Sequence, residues 1–306
     1  MKLRGHETFF IRKGWLTKGM KYVRQNPDVF TAKEPDRKPM DVLGIGSNMV
    51  LSLRYWLQTV GLTTEEKGEK GKRIQRLTPF GELVFANDKY IEEIGTLYLL
   101  HYKLASNKEN ATSWYYFFNR LNLSEFSEDD FFVGLSKFLA DNGYEKDISE
   151  RLVADDFSCI LSTYISKGKT VSFKISAENN IDCPLGELSL VDVVSKKKHT
   201  EKYKKSVPSA KSFDPYIILA AINGQRAEDE DGEREIQLNK LMSDDNSIGK
   251  IFNLDAVALL DVLHAAEKIG ELKIIRTAGL DVIRLTHTYT FEDCVKKYYD
   301  HLNEMR

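Results

Sequence analysis

Residues Leu43 to Leu62 read LGIGSNMVLSLRYWLQTVGL, and two functions compete for these letters. Two glycines and a serine ahead of an apolar helix suit a loop that cradles a phosphate on backbone amides. A tight turn into an amphipathic helix is also how a chain enters the recognition helix of a helix-turn-helix module. GIGSNM is not the dinucleotide fingerprint, because Met49 stands where its third glycine belongs, and no Lys-Ser/Thr follows to make a Walker loop. Gly44 and Gly46 are therefore expected to shape the turn, with Ser47 or Asn48 as the N-cap, and no bound nucleotide is expected.

Helical periodicity sorts the rest of the stretch. Val50, Leu53, Leu57 and Val60 share one face, with Met49 and Trp56 alongside, which leaves Asn48, Leu51, Arg54, Tyr55 and Gln58 on the other. Arg54 and Gln58 are one turn apart and project together; arginine suits guanine and glutamine suits adenine in a major groove. Downstream, LTTEE and RIQRLT read as two short strands joined by a charged, glycine-containing tip. That tip offers Lys67, Lys70, Lys72, Arg73 and Arg76 as phosphate partners, opposed by Glu65, Glu66 and Glu69. Helix followed by hairpin is the ending of a winged helix-turn-helix. The alternative is an ordinary solvated helix face beside a solvated hairpin.

The same order returns near the C-terminus. DPYIILAAING and REIQLNKLM read as helices, FNLDAVALLDVLHAAEKIG as a third with Ala256, Leu260 and Leu263 inward, and ELKIIRTAGLDVIRLT as a hairpin turning at Ala278-Gly279. Here the outward helix face carries Asp255, Ala258, Asp261, His264, Ala265 and Lys268, which repels a phosphate backbone, so this unit is expected to contact protein, including a second copy in a homodimer. Between the two units, GTLYLLHYKLAS, ATSWYYFFNRLN, SEDDFFVGLSKFLADNG and RLVADDFSCILSTYI read as helices. TVSFKI and ELSLVDVV form a β-rich patch, SKKKHTEKYKKS a solvated linker, and EDEDGERE an acidic loop. The expected fold is mainly α with small β wings: winged-helix-like units over residues 1–86 and 206–306 flank a helical middle domain over 87–205.

Composition narrows the classes. In 306 residues, 44 basic side chains nearly balance 46 acidic ones, so contact with nucleic acid has to come from a local patch. Cys159, Cys183 and Cys294 form no CxxC pair, which argues against a disulfide framework and against zinc. No apolar run is long enough to span a membrane and MKLRGHETFF lacks the core of a signal peptide, so a soluble cytoplasmic protein is expected. Catalytic spacing is weaker evidence. His6-Glu7 among basic and aromatic residues, and Asp155-Asp156 in RLVADDFSCILSTY, are candidate ligands for a divalent metal, Mg²⁺ or Mn²⁺, in phosphodiester hydrolysis. The plain alternatives are a surface pair and a helix N-terminal acidic pair. Trp114 to Phe118 has packing as its expected use rather than stacking on bases, and His101 is expected to be an interior hydrogen-bonded histidine.

Several strings together, GHETFFIRKGWLTKG, LGIGSNMVLSLRYWL, LTPFGELVF, GTLYLLHYKLA, ATSWYYFFN and CPLGELSLV, resemble the SspB-type proteins encoded beside bacterial DNA phosphorothioation genes. The resemblance runs from His6 to about Leu285, with Tyr98 where tryptophan is usual. It implies a DNA nickase that acts on double-stranded DNA with sulfur-transfer and ATPase subunits, in modification-linked defence. It brings no assigned catalytic residue with it. The residues alone support only a DNA-binding winged-helix protein, so the alternative is a non-catalytic winged-helix adaptor or transcription regulator.

Overall fold

The computed structural model describes residues 1–68, 71–144, 148–165, 183–196, 201–226, 234–277 and 280–306. The chain begins with α1 (Trp15–Gln25), α2 (Pro39–Leu43) and α3 (Ser47–Thr59), followed by the antiparallel hairpin of β1 (Thr63–Lys67) and β2 (Arg73–Leu77). Between α2 and α3, Gly44 takes a left-handed φ of 61° and ends α2, while Gly46 is extended and leads into α3. The glycines of the opening stretch thus serve a helix-to-helix turn. Capping departs from expectation: Gly46 holds the N-cap position and no side chain caps α3. The turn is short enough that Ser47 is already helical.

Four helices follow α4 (Pro79–Asn87): α5 (Ile94–Ala105), α6 (Thr112–Asn119), α7 (Glu128–Asp141) and α8 (Glu150–Tyr164). Thr78, Ser127 and Ser149 cap α4, α7 and α8 through their side chains, which sets where those helices start. All five aromatics from Trp114 to Phe118 are buried on α6, so packing, not base stacking, occupies them. His101 is buried too. Its Nε2 donates to the Ile251 carbonyl at 2.8 Å, and its Nδ1 accepts from the Tyr164 hydroxyl at 2.8 Å.

A 3₁₀ turn over Pro184–Leu188 leads to β3 (Val191–Ser195), which pairs with β4 (Lys202–Lys205). Part of the expected linker is therefore a strand. Lys205 is not solvated: its Nζ donates to the Leu121 carbonyl at 2.7 Å beyond the end of α6, and burial pushes it down to about 7. The TVSFKI segment lies outside the described residues.

The C-terminal part holds α9 (Pro215–Arg226), β5 (Glu235–Gln237), α10 (Leu238–Ser243), α11 (Ile248–Ile251), α12 (Ala256–Lys268), β6 (Leu272–Thr277), β7 (Leu280–Leu285) and α13 (Phe291–Glu304). REIQLNKLM is not one helix. Glu235–Gln237 pairs with β7 as a third strand in the order β5-β7-β6, and the helix starts at Leu238. The inward face of α12 is also rotated from expectation, to Ala258, Leu259, Val262, Leu263 and Ala266, leaving Ala256 exposed, because Asp255 caps the helix and turns its first residue outward. The turn at Ala278-Gly279 and most of the acidic EDEDGERE loop are outside the described residues.

The described residues are thus mainly helical, with three small antiparallel sheets. Their buried side chains form one continuous cluster from Ile11 to Tyr299. The last helix closes it: Phe291 of α13 meets Phe80 of α4 edge to face at 5.4 Å, and Tyr298 lies so close to Gly95 of α5 that a Cβ there would stand 2.4 Å from the ring.

Candidate functional site

On α3 the exposed surface is narrower than periodicity suggests. Asn48 and Leu51 are open to solvent, Arg54 and Gln58 are half-buried, and Tyr55 is buried. The N-terminal segment covers Tyr55: a Cβ on Gly5 would stand 2.4 Å from its ring. Arg54 is not free over a groove. It forks onto Glu65 of β1, with Nε 2.8 Å from the carboxylate, and Arg73 takes the other oxygen at 3.0 Å. Gln58 and Gln75 both donate to the Arg54 carbonyl. Two further hairpin cations are matched in the same way: Lys72 pairs with Glu34 at 3.1 Å and Arg76 with Glu66. Lys67 is exposed and makes no ion pair with a described residue, and Lys70 lies outside the described residues. Glu65 and Glu66, read from the sequence as diluting the positive field, neutralise particular arginines.

Cations without acid partners lie elsewhere. A cleft of about 450 Å³ opens between the start of α1 and the Pro184–Leu188 turn, lined by Arg12, Lys13, Tyr90, Glu92 and Glu187 among others. Arg12 rests against the rings of Phe9 and Trp15 at 5.6 and 5.4 Å, and neither Arg12 nor Lys13 forms an ion pair with a described residue. Beside this cleft α1 begins at the left-handed Gly14 with no side-chain cap.

The two candidate metal pairs, far apart in sequence, do meet. His6 Nε2 lies 2.7 Å from Asp156 Oδ1, with 0% and 1% of the side chains exposed. Asp156 also accepts from the Arg4 amide at 2.9 Å and from the Ser113 hydroxyl, while His6 Nδ1 accepts from the Thr8 amide at 3.1 Å. With Nδ1 an acceptor, Nε2 carries the proton and points it at the carboxylate. Arg4 Nε approaches Asp155 Oδ2 to 2.9 Å off the line of a hydrogen bond, so that buried oxygen has charge beside it but no donor. His6 stacks on Trp56 and meets Trp114 edge to face at 5.5 Å. Arg4, Glu7 and Thr8 all have positive φ, a conformation costing about 1 kcal/mol per residue, which the hydrogen bonds around His6 hold in place. Asp155-Asp156 is mid-helix in α8, not at its N-terminus, and Glu7 is half-buried away from the pair's hydrogen bonds.

This arrangement does not fit Mg²⁺ or Mn²⁺. Such ions take oxygen ligands with several waters, whereas both Asp156 oxygens are engaged, the nearest nitrogen carries a proton, and Arg4 adds positive charge. Among the described residues no three His, Cys, Asp or Glu side chains stand together as a metal cage. The His6–Asp156 pair is a buried clasp between the N-terminal segment, α6 and α8.

A further cluster, missed in sequence because its members are dispersed, surrounds Glu271 between α12 and β6. Its buried carboxylate accepts from the hydroxyls of Tyr216 (3.1 Å) and Tyr289 (3.4 Å), and contacts His287 Nδ1 at 3.0 Å and Lys297 Nζ at 3.7 Å.

Residues 3–299 match the family model described as "Protein of unknown function (DUF4007)". The chain belongs to the DUF4007 family. No curated protein matches it in sequence. Two solved structures match this DUF4007 chain closely in fold. "Magnesium ion-bound SspB crystal structure" has a TM-score of 0.84 and 26% identity, covering 99% of this chain and 89% of the other. "SspB crystal structure" has a TM-score of 0.83 and 25% identity, with the same coverage. The resemblance to SspB-type proteins therefore holds along nearly the whole family chain. Among the described residues no helix is long and apolar enough to cross a membrane.

Proposed function

We propose that this DUF4007 protein binds double-stranded DNA and nicks it within a phosphorothioation-linked modification system, alongside sulfur-transfer and ATPase subunits. The observation that carries this reading is the likeness to SspB structures across 99% of the chain. The chemistry is coherent with it: a strand break gives sulfur-transfer machinery access to a backbone phosphate. The order of helices and hairpin at both ends supports winged-helix-like units, with the N-terminal one on DNA and the C-terminal one on protein partners, including a homodimer mate.

Within that unit, Asn48, Lys67, Lys70, Lys72, Arg73 and Arg76 are proposed to meet the duplex, and Arg12 and Lys13 to add phosphate contacts from the cleft. Arg54 and Gln58 reach bases only when Glu65 releases Arg54. Mg²⁺ or Mn²⁺ is proposed as a requirement of the reaction, because one SspB neighbour is described as magnesium-bound; the clasp at His6 and Asp156 is not its site. Incubation of supercoiled plasmid with the protein, with either ion and then with a chelator, tests the proposal. Chelator-sensitive conversion to open circle is expected. Binding without relaxation would leave the adaptor reading, which the closed His6–Asp156 clasp favours.

A further inference from the structure

Among the described residues the histidines fall into three groups by what their two ring nitrogens do. His6 and His101 are fully buried with both nitrogens engaged. His264 pairs on the surface with Glu267 of its own helix. His287 and His301 are different, because each turns Nδ1 onto a carboxylate that is itself largely buried.

For His287 that carboxylate is Glu271. The histidine side chain is 55% exposed, whereas Glu271 is 8% exposed and cannot swing away, since Tyr216 and Tyr289 both donate to its Oε1. A carboxylate on Nδ1 fixes the proton there, so Nε2, across the ring, carries the lone pair on the open side. Tyr289 stacks on the imidazole at 5.5 Å, and Lys297 Nζ sits 4.8 Å from the Tyr289 ring centre. Asp214 holds His301 at 2.7 Å, and the rings of His301 and Tyr216 meet edge to face. His287 itself meets Glu271, before β6, and Tyr289 of the connecting loop, while Tyr216 from α9 and Lys297 from α13 hold the other oxygen of that carboxylate. Four separate stretches of chain converge on one oriented base with an ammonium beside it.

We infer that the Glu271–His287 pair is a general base for phosphodiester hydrolysis, with Lys297 contacting the phosphate and Glu271 as the positioning residue. The inference rests on the nicking function proposed above and deepens it: the α12 face of the C-terminal unit stays with protein partners, the stretch from His287 to Lys297 meets the strand to be cut, and the divalent ion of that proposal would neutralise phosphate charge without entering this proton transfer. In the step, His287 Nε2 takes a proton from water as the water oxygen bonds to phosphorus. The phosphorus–oxygen bond to the departing sugar breaks with its electron pair on oxygen, and the Lys297 ammonium protonates that oxygen. Imidazolium and amine then exchange protons with solvent, so one water is consumed per break.

The test is plasmid nicking by the full chain across a pH series, for the wild type, His287→Ala, His287→Gln and Glu271→Gln, with DNA binding and melting measured in parallel. Loss of general-base catalysis is worth about 10²–10⁴-fold, so both His287 variants should nick at least about 100-fold more slowly while still folding and binding DNA. Added imidazole should partly restore His287→Ala. The acid limb of the wild-type pH–rate profile should vanish in the His287 variants, and Glu271→Gln, which loosens the ring's orientation, should slow nicking without weakening DNA binding. A purely structural role would move melting and leave the profile unchanged. Nicking by a folded His287→Gln at the wild-type rate would overturn the inference alone. A wild type that binds but never nicks would overturn the nicking reading and this inference with it.

Discussion

Arg54 on α3 and Glu65 on β1 form a fork in which the guanidinium Nε and a terminal nitrogen both reach one carboxylate oxygen, with 21% and 14% of the side chains exposed. The hairpin is thereby fastened to the helix it follows, through a charge-assisted contact that water only partly screens. Arg54→Ala should therefore cost about 1.5 kcal/mol of stability and loosen the hairpin. Glu65→Gln should have the opposite effect on ligand binding. It frees Arg54 and Arg73 together, so DNA should bind more tightly, with a salt dependence steeper by up to about two phosphate contacts. Unchanged affinity in Glu65→Gln would remove this helix and hairpin from the DNA interface.

The cleft cations and the hairpin cations should respond differently. Replacing Arg12 and Lys13 with Ala removes two cations that form no ion pair with a described residue, so affinity should fall on every DNA sequence and the salt slope should flatten by up to about two units. Replacing Lys72, Arg73 and Arg76 with Ala removes proposed phosphate contacts and also leaves Glu34, Glu65 and Glu66 uncompensated beside the duplex, so affinity should fall by more than the change in slope accounts for. Filter binding at several salt concentrations separates the two. Equal slopes for the cleft variant and the wild type would take phosphate away from the cleft.

Acid should destabilise the fold through His101. Burial pushes this imidazole down to about 4, against a usual 6.5, so the native state keeps it neutral while the unfolded chain picks up a proton. The contribution is fully present above about pH 6.5 and is lost as pH falls through that value toward 4. By linkage the loss approaches about 3 kcal/mol. Urea melts of the wild type and His101→Gln at pH 7 and pH 4.5 check the sign: the stability gap between them should narrow in acid. A constant gap would mean that His101 does not titrate in this way.

Adjacent carboxylates on α8 should behave unequally. Asp156→Ala strands the His6 ring N–H, the Arg4 amide and the Ser113 hydroxyl in a dry interior, at a cost of about 3–5 kcal/mol. Asp155→Asn removes one partly exposed charge whose buried oxygen receives no hydrogen bond, and should cost under about 1 kcal/mol. Thermal melts of the two variants would settle the matter, and similar losses would mean that Asp156 is not the clasp described here.

Much of the architecture was legible where the signal is local. The helical strings SEDDFFVGLSKFLADNG and RLVADDFSCILSTYI placed α7 and α8, and the apolar rhythm of GTLYLLHYKLA and the paired short strands placed α5 and both hairpins. What escaped was non-local. Tyr55 looked outward by periodicity, yet Gly5 and His6, some fifty positions upstream, fold over it. Arg54 looked available for a base because Glu65 is eleven residues away and on another element. Glu235–Gln237 read as helix because nothing near it in sequence reveals β7. The Glu271 cluster draws on positions from Tyr216 to Lys297, and no spacing rule joins them.

Phe80 and Phe291 face each other across 211 positions of chain, and α13 completes the packing around both α4 and α5. During synthesis, the first helices therefore leave the ribosome with apolar faces that no neighbour yet covers. They stay so until translation has delivered the last helix. Closure of this interior waits for α13, and a chain cut before Phe291 would be one for chaperones and proteases rather than a smaller working protein. Changes that displace α13 are the ones this fold cannot absorb, because that helix closes the interior of the molecule.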